Sequence, residues 1–165
     1  MTGSMTLQSS GDDPVGPTVS PLARGPGGSG RVLLADDDAA AADALAGVLR
    51  RAGFRVVVAD SGKQALRRLC AEPFDLLITD IVMPEIDGLD LLRWLARLQP
   101  SVPAIALSGD GPDQGALYAK AALCIGADVA LSKPPDPRTL PAAAHRLVER
   151  GRRLRTPERI SAPAA

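Results

Sequence analysis

Aromatic residues and cysteines are scarce in this chain of 165 residues. Aromatic side chains make up only 2% of it, which excludes the stacking platforms that bind single-stranded nucleic acid. The two cysteines, Cys70 and Cys124, are too few and too far apart for a disulfide scaffold or a zinc site. We therefore expect them to be reduced core residues of a cytoplasmic protein. Hydrophobic residues still account for 45% of the chain, enough for a core of aliphatic side chains.

Net charge of either sign is also absent, because 19 basic residues balance 19 acidic ones. Such a chain has no overall field to attract nucleic acid or an anionic membrane, and we expect neither as a partner. No apolar run is long enough to span a bilayer, and the first thirty residues lack the apolar segment of a signal peptide. The sequence therefore predicts a cytoplasmic location.

Composition divides the chain into three parts. Residues 1–30 are rich in glycine, serine and proline without periodicity, which predicts a disordered tail. Residues 31–150 carry regular apolar patterns and are predicted to form one domain, and residues 151–165 a short second tail.

Five short apolar runs alternate with five longer amphipathic runs in the predicted domain. The short runs are apolar on both faces, as in parallel strands covered by helices. Right-handed crossovers then give an α/β fold with a doubly wound, five-stranded parallel sheet and helices on both faces. The predicted strands are Val32–Ala35, Arg55–Val58, Leu76–Thr79, Ala104–Leu107 and Val129–Leu131.

The ends of the helices are indicated by capping residues, glycines and prolines. We predict a first helix over about 39–52 and a fourth over about 114–125. Ser61 caps the second helix, the third begins near Gly88, and Thr139 is a better cap for the fifth than Asp136. The second helix is expected to turn Cys70 inward.

Polar side chains follow four of the five predicted strands. Asp36 and Asp37 follow the first strand, Asp80 the third, Ser108 the fourth and Lys133 the fifth. The carboxyl ends of the strands form the functional edge of such a sheet, so these groups are expected to meet. Crowded carboxylates repel unless a cation compensates them, which predicts Mg²⁺ at the three aspartates. The amine of Lys133 and the hydroxyl of Ser108 are then free to neutralise and hydrogen-bond a phosphoryl group.

Asp80 is the natural nucleophile of this set, because it ends the central strand and a turn rich in rigid residues follows it. A carboxylate that attacks phosphorus forms an acyl phosphate, and positioning with charge neutralisation can supply most of the catalysis. The sequence thus predicts a phosphorylation site.

These motifs resemble the receiver domain of two-component response regulators, over about 31–150. The markers are Asp36-Asp37, Asp80-Ile81-Val82-Met83-Pro84 with Asp87-Gly88, Ser108-Gly109, Gly126-Ala127 and Lys133-Pro134. The resemblance implies a flavodoxin-like strand order, 2-1-3-4-5, and usually a cis bond between the lysine and the proline.

The resemblance also implies a role for each matching residue. Asp80 would accept the phosphoryl group, and Mg²⁺ would be bound directly by Asp37 and Asp80, by the main-chain carbonyl of Val82, and through water by Asp36. Ser108 would bind the phosphoryl group and Lys133 would pair with it.

Two positions depart from the family pattern. An aromatic residue, whose rotamer couples to the serine, is common where this chain has Ala130, and another is frequent at Pro135. An aromatic rotamer switch cannot operate at an alanine. Signal output is therefore expected to differ, while the phosphorylation chemistry is untouched.

The function expected is that of a single-domain response regulator. A histidine kinase or phosphotransfer protein would phosphorylate it, an output protein would bind it, and weak self-catalysed phosphorylation and dephosphorylation would be its only enzymatic activity. A degenerate receiver that binds partners without phosphorylation stays open because of Ala130. A Mg²⁺-dependent phosphohydrolase is a weaker alternative, because Ala40 stands where such enzymes have threonine or valine.

Two further features are given structural interpretations. His145 is expected to be exposed on a polar helix face. Arginines at the end of the chain are expected to be a solvated helix end favoured by the helix dipole; they are Arg146, Arg150, Arg152, Arg153, Arg155 and Arg159.

Overall fold

The structure is a computed structural model that describes residues 30–109 and 114–155. Strands and helices alternate along the described chain, as the apolar periodicity predicts. They are β1 (Arg31–Ala35), α1 (Ala39–Arg51), β2 (Arg55–Ala59), α2 (Gly62–Ala71), β3 (Leu76–Asp80), α3 (Gly88–Leu98), β4 (Ala104–Ser108), α4 (Gln114–Ile125), β5 (Val129–Ser132) and α5 (Thr139–Arg155). The two predicted tails lie outside the described residues, apart from Gly30 and the part of α5 that continues to Arg155.

The five strands form one parallel sheet in the order β2-β1-β3-β4-β5. This confirms the predicted doubly wound fold and its strand order. Every residue of β3 and β4 is buried, whereas the two outer strands, β2 and β5, are mostly half-buried. Continuous runs of Val, Leu and Ile suit the inner strands because helices cover both of their faces.

Two apolar clusters separate the faces of the sheet. One packs α2, α3 and α4 against the sheet around Phe74, Leu77 and Leu91. The other packs α1 and α5 around Leu34, Leu49 and Leu147. Since the strands are parallel and each helix runs back antiparallel to them, all five helices begin at the carboxyl edge of the sheet.

Side-chain caps place the helix starts at this edge. Asp38 accepts hydrogen bonds from the N–H groups of residues 40 and 41, and Ser61 and Asp87 cap α2 and α3 in the same way. The predicted cap of α5 is wrong. Asp136, and not Thr139, accepts the N–H groups of residues 138 and 139, because the intervening Pro137 suits the first turn of a helix.

Three side chains lie on other surfaces than expected. Cys70 and Cys124 are free thiols, as predicted, but both are exposed on the outer sides of α2 and α4, so the expectation of core positions is wrong. An apolar run within a helix does not show which of its residues faces inward. His145 is half-buried and not exposed, because its ring packs against Phe54 at a tilt of 38° with 4.5 Å between centroids.

Across residues 30–109 and 114–155, no helix combines the length and the apolar character needed to cross a membrane.

Candidate functional site

The carboxyl edge of the sheet brings together the side chains that follow its inner strands. Asp80 is the last residue of β3 and Ser108 the last of β4, while Asp36 and Lys133 directly follow β1 and β5. β1, β3, β4 and β5 are consecutive neighbours in the sheet, so these residues lie in one row. The backbone of Asp36 is held against β2, because its N–H donates a hydrogen bond to the carbonyl of Ala59 at 3.1 Å.

Lys133 connects the two buried carboxylates of this row. Its Nζ lies 2.7 Å from Oδ2 of Asp36 and donates a hydrogen bond of 2.8 Å to Oδ2 of Asp80. Its own N–H donates to the carbonyl of Ser108 at 2.8 Å, which holds the residue against β4. The Lys133–Pro134 peptide bond is cis, as the resemblance implies.

The charge on Lys133 is stabilised despite its partial burial. Burial lowers the pKa of its ammonium group, but the hydrogen bond that it donates to Asp80, its close contact with Asp36 and the attraction of both negative charges outweigh this and raise the pKa above its ordinary value of 10.5. The group is therefore fully charged at neutral pH.

The three aspartates form an acidic cluster. One carboxylate oxygen from each of Asp36, Asp37 and Asp80 lies within 4.8 Å of the other two. Asp36 is 1% exposed and Asp80 8% exposed, whereas Asp37 is open to solvent. Three carboxylates and one ammonium group leave the cluster with excess negative charge.

The donor set of the cluster fits a hard divalent cation such as Mg²⁺. Oδ1 of Asp36 accepts the N–H of Asp38 at 3.0 Å, but its buried Oδ2 accepts no well-aligned hydrogen bond, and its close neighbour is the ammonium group of Lys133. A buried carboxylate oxygen with an unused lone pair is suited to a cation or to its bound water. Asp37 supplies an oxygen from the solvent side.

Asp80 is held by its neighbours on both oxygens. Oδ1 accepts the N–H of Val82 at 3.2 Å and Oδ2 accepts the bond from Lys133. The side chain of Val82 is 58% exposed beside the carboxylate. The side chain of Asp80 itself retains a small exposed fraction of 11%. The carbonyl of Val82 as a metal ligand stays a prediction.

The turn after Asp80 is fixed by a close backbone contact that the sequence analysis missed. A Cβ built on Gly88 would stand 2.0 Å from the carbonyl oxygen of Asp80, and the N–H of Gly88 donates to the carbonyl of Ile81 at 2.9 Å. Gly62 touches the same turn, because its Cβ would lie 1.9 Å from the carbonyl oxygen of Ile86. Each glycine is the first residue of a helix, and a glycine at that position was the feature of the sequence from which the close contact could have been predicted.

Ser108 lies at the same edge as the acidic cluster. It is buried, and its Oγ donates a long hydrogen bond of 3.5 Å to the carbonyl of Leu131 on β5. Such a bond is weak and can be exchanged for another acceptor. The structure therefore places this hydroxyl where the sequence analysis expects it, next to the strand that carries Asp80.

Comparison with known proteins agrees with this geometry. The sequence model of the response regulator receiver domain family matches residues 32–145 of this chain. The response regulator receiver protein CpdR of Brucella abortus is 43% identical over 79 residues, which are 48% of this chain and 66% of CpdR. The transcriptional regulatory protein CreB of Escherichia coli is 32% identical over 129 residues, which are 78% of this chain and 55% of CreB.

Solved structures show the same fold. A response regulator receiver domain protein from Clostridium thermocellum matches with a TM-score of 0.69 and 28% identity, covering 75% of this chain and 98% of that one. The chain spans between half and two thirds of the length of the curated relatives named above. Sequence match, fold and strand-end residues agree, and the chain belongs to the response regulator receiver domain family.

Proposed function

We propose that this receiver domain accepts a phosphoryl group on Asp80 from a phosphohistidine of a histidine kinase or phosphotransfer protein. The observation that carries the proposal is the contact of Lys133 with both Asp36 and Asp80 within an acidic cluster. Such an arrangement holds a carboxylate in place and supplies a cation for an incoming phosphoryl group.

The transfer exchanges one bond to phosphorus for another. A carboxylate oxygen of Asp80 attacks, the P–N bond to the histidine breaks, the P–O bond of an acyl phosphate forms, and the imidazole takes a proton from solvent. Lys133 offsets the charge of the phosphoryl oxygens, and the hydroxyl of Ser108 turns from Leu131 to donate to one of them. Positioning and charge compensation account for the rate, because the chemistry needs no further protein group.

Mg²⁺ would be held by Asp36, Asp37 and Asp80 together with the carbonyl of Val82. It would supply the positive charge that the acidic cluster lacks. The chain's own residues orient the nucleophile whether or not the cation is bound, because Val82 and Lys133 each fix one oxygen of Asp80.

The phosphorylated domain would act by binding a protein partner in the cytoplasm. Phosphorylation biases an equilibrium between two conformations, and a partner that prefers one of them reads the signal. Self-catalysed phosphorylation and dephosphorylation would be slow side activities of the same site.

The test is phosphorylation by a small phosphodonor. Wild-type protein incubated with Mg²⁺ and acetyl phosphate should gain one phosphoryl group in an intact-mass spectrum. Asp80→Asn should gain none, and the control Asp60→Asn should behave like wild type, because Asp60 follows β2 outside the acidic cluster. A wild-type protein that gains no phosphoryl group overturns the proposal.

A second candidate is a receiver that binds its partner without phosphorylation. Ala130, half-buried on β5, favours it because no aromatic ring is present there to move with Ser108. Partner affinity that is the same for wild type, phosphorylated protein and Asp80→Asn would establish this alternative.

A further inference from the structure

The zero net charge of the chain conceals two ends of opposite charge. The acidic cluster and the aspartate caps of α1 and α3 lie at the carboxyl edge of the sheet, where the helices begin. Arginines collect at the opposite, amino edge, where α1 and α5 end. The expectation that a chain of zero net charge does not attract nucleic acid ignores this separation of charge. The charge at each end of the sheet therefore has to be considered separately.

Five exposed arginines of α1, β2 and α5 form what we call the arginine surface. They are Arg50, Arg51, Arg55, Arg146 and Arg153. The structure places the three elements side by side. Nε2 of His145 lies 3.2 Å from the carbonyl oxygen of Ala52 just after α1, and its ring packs against Phe54 just before β2.

The arginine surface includes no ion pair among the described residues, although the exposed carboxylate of Glu149 lies one helical turn from Arg146 and Arg153 on α5. Over residues 30–109 and 114–155, none of its five guanidinium groups forms an ion pair. Other arginines of the fold do, since Arg31 and Arg68 both pair with Glu72 and Arg150 pairs with Asp128. The arginine surface therefore has positive charge available for a partner.

The helix dipole explains only part of this arrangement. Arg50 and Arg51 lie in the last turn of α1, and Arg153 near the end of α5, where a cation is favoured. Arg55 is instead the first residue of a strand, and Arg146 lies near the middle of α5. The helix dipole therefore does not account for the positions of these two arginines.

We propose that the arginine surface binds the phosphodiester backbone of double-stranded nucleic acid without reading its sequence. Guanidinium groups pair with phosphate oxygens through two parallel hydrogen bonds, and charge neutralisation dominates such binding. The proposal replaces the expectation that nucleic acid is not a partner, and it does not depend on phosphorylation of Asp80.

A polyanion suits this surface better than a protein does, because protein interfaces depend on buried apolar or aromatic anchors. Within the described residues of α1, β2 and α5, Leu154 is the only large apolar side chain that is exposed. It lines a groove with Val102 and Pro103 on the β4 side of α5. The shortage of aromatic residues likewise speaks against stacking on single-stranded bases.

The opposite charge of the two ends also fixes the orientation of binding. Phosphates attract the amino edge and repel the acidic cluster at the carboxyl edge. Asp80 therefore faces away from the nucleic acid and stays accessible to a phosphodonor.

The experiment measures binding of the full chain to a fluorescent 20-base-pair duplex of mixed sequence across a range of salt concentrations. Each neutralised phosphate contributes about 0.9 to the slope of log K against log salt, so a slope between roughly −3 and −4.5 is expected. The triple variant Arg50→Gln, Arg55→Gln, Arg153→Gln should lose more than about tenfold in affinity at low salt and reduce the slope by roughly 2.7.

The control variant is Arg67→Gln, Arg97→Gln, Lys120→Gln. It makes the same change in net charge on α2, α3 and α4, which cover the other face of the sheet. It should keep most of the wild-type affinity. Thermal unfolding of both variants checks that they fold.

Three outcomes overturn the proposal. The first is wild-type protein that does not bind the duplex at low salt, and the second is equal loss in both triple variants. The third is tighter binding to vesicles containing phosphatidylserine or to polyglutamate than to the duplex, which assigns the surface to a membrane or to an acidic protein.

Discussion

Lys133 and Asp80, 53 positions apart in the sequence, are joined by a hydrogen bond of 2.8 Å between an ammonium nitrogen and a carboxylate oxygen. The same ammonium group lies 2.7 Å from Asp36, whose side chain is almost wholly buried. One cation thus compensates two carboxylates, and within residues 30–109 and 114–155 no other cation pairs with either of them.

The variant Lys133→Met tests this dependence. It should lower the free energy of unfolding at pH 7 without divalent cations by about 3 kcal/mol, because breaking a buried ion pair leaves uncompensated charge. Urea denaturation measures the change. The control Lys63→Met, which removes the exposed ion pair with Glu85, should cost less than about 1 kcal/mol. Equal effects of the two variants would contradict the assigned role of Lys133.

Substituting two glycines by alanine distinguishes the steric cost of a close backbone contact from the ordinary preference of a helix for alanine over glycine. Gly88→Ala should destabilise the fold by more than about 2 kcal/mol and slow phosphorylation, because its Cβ would overlap the carbonyl oxygen of Asp80. Gly47→Ala should stabilise the fold by about 0.5 to 1 kcal/mol, because within α1 its Cβ would meet only the flexible end of Arg51. Urea denaturation and the rate of phosphorylation together report both. A Gly88→Ala protein of wild-type stability is the contrary result.

The side chain of Gln99, just after α3, bonds to the backbone at the end of α2 and to the segment that leads into β3. Its Nε2 donates to the carbonyls of Leu69 and Glu72 at 2.8 Å, and its Oε1 accepts the N–H of Phe74 at 3.1 Å. Gln99→Ala should cost about 2 to 3 kcal/mol in free energy of unfolding, because it leaves three partly buried backbone groups without partners.

The matched control is Gln64→Ala, which removes one exposed hydrogen bond to the N–H of Asp60 and should cost about 1 kcal/mol or less. Urea denaturation again provides the values. If the two alanine variants are equally stable, the proposed role of Gln99 is wrong.

Stability should depend on pH through Glu72. Hydrogen bonds from Arg68 and Arg31, with their charges, outweigh the opposing effect of burial and lower the pKa of this carboxyl group below its ordinary value of 4.5. Just below pH 4.5 the unfolded chain takes up the proton before the folded protein does, so stability falls as pH falls.

Glu72→Gln should lack this component. The difference in unfolding free energy between wild type and variant should be constant from pH 8 to pH 6 and should shrink below about pH 4.5. Urea denaturation at a series of pH values measures it. A difference that stays constant down to pH 3 would show that Glu72 is not responsible.

The exposed side chain of Val82 should prolong the life of the acyl phosphate. An apolar group beside Asp80 hinders an attacking water molecule, whereas an amide can orient one. Val82→Asn should therefore shorten the half-life of the phosphorylated protein several-fold, followed by intact mass after removal of the phosphodonor. An unchanged half-life would show that the side chain at this position does not control access of water.

Much of this architecture follows from local sequence patterns. Parallel strands with buried faces leave a continuous apolar run, and a strand-end aspartate or lysine is visible by its position, so the parallel sheet and the row from Asp36 to Lys133 could be predicted. The order of the strands was implied only by the resemblance to receiver domains. The cap at Asp136 was missed because it depends on how Pro137 enters the helix. The bonds of Gln99 were missed because they join residues up to 30 positions apart, which no local pattern records.

The strand order also divides the site between the interior and the margin of the sheet. Asp80 and the residue that follows β1 belong to the fully enclosed middle, whereas Lys133 follows β5, a strand of four residues with a neighbour on one side only. Local opening in proteins begins at such margins and spares the centre. A brief detachment of the last strand would thus withdraw the ammonium group while the nucleophile and the acidic residues stay in register.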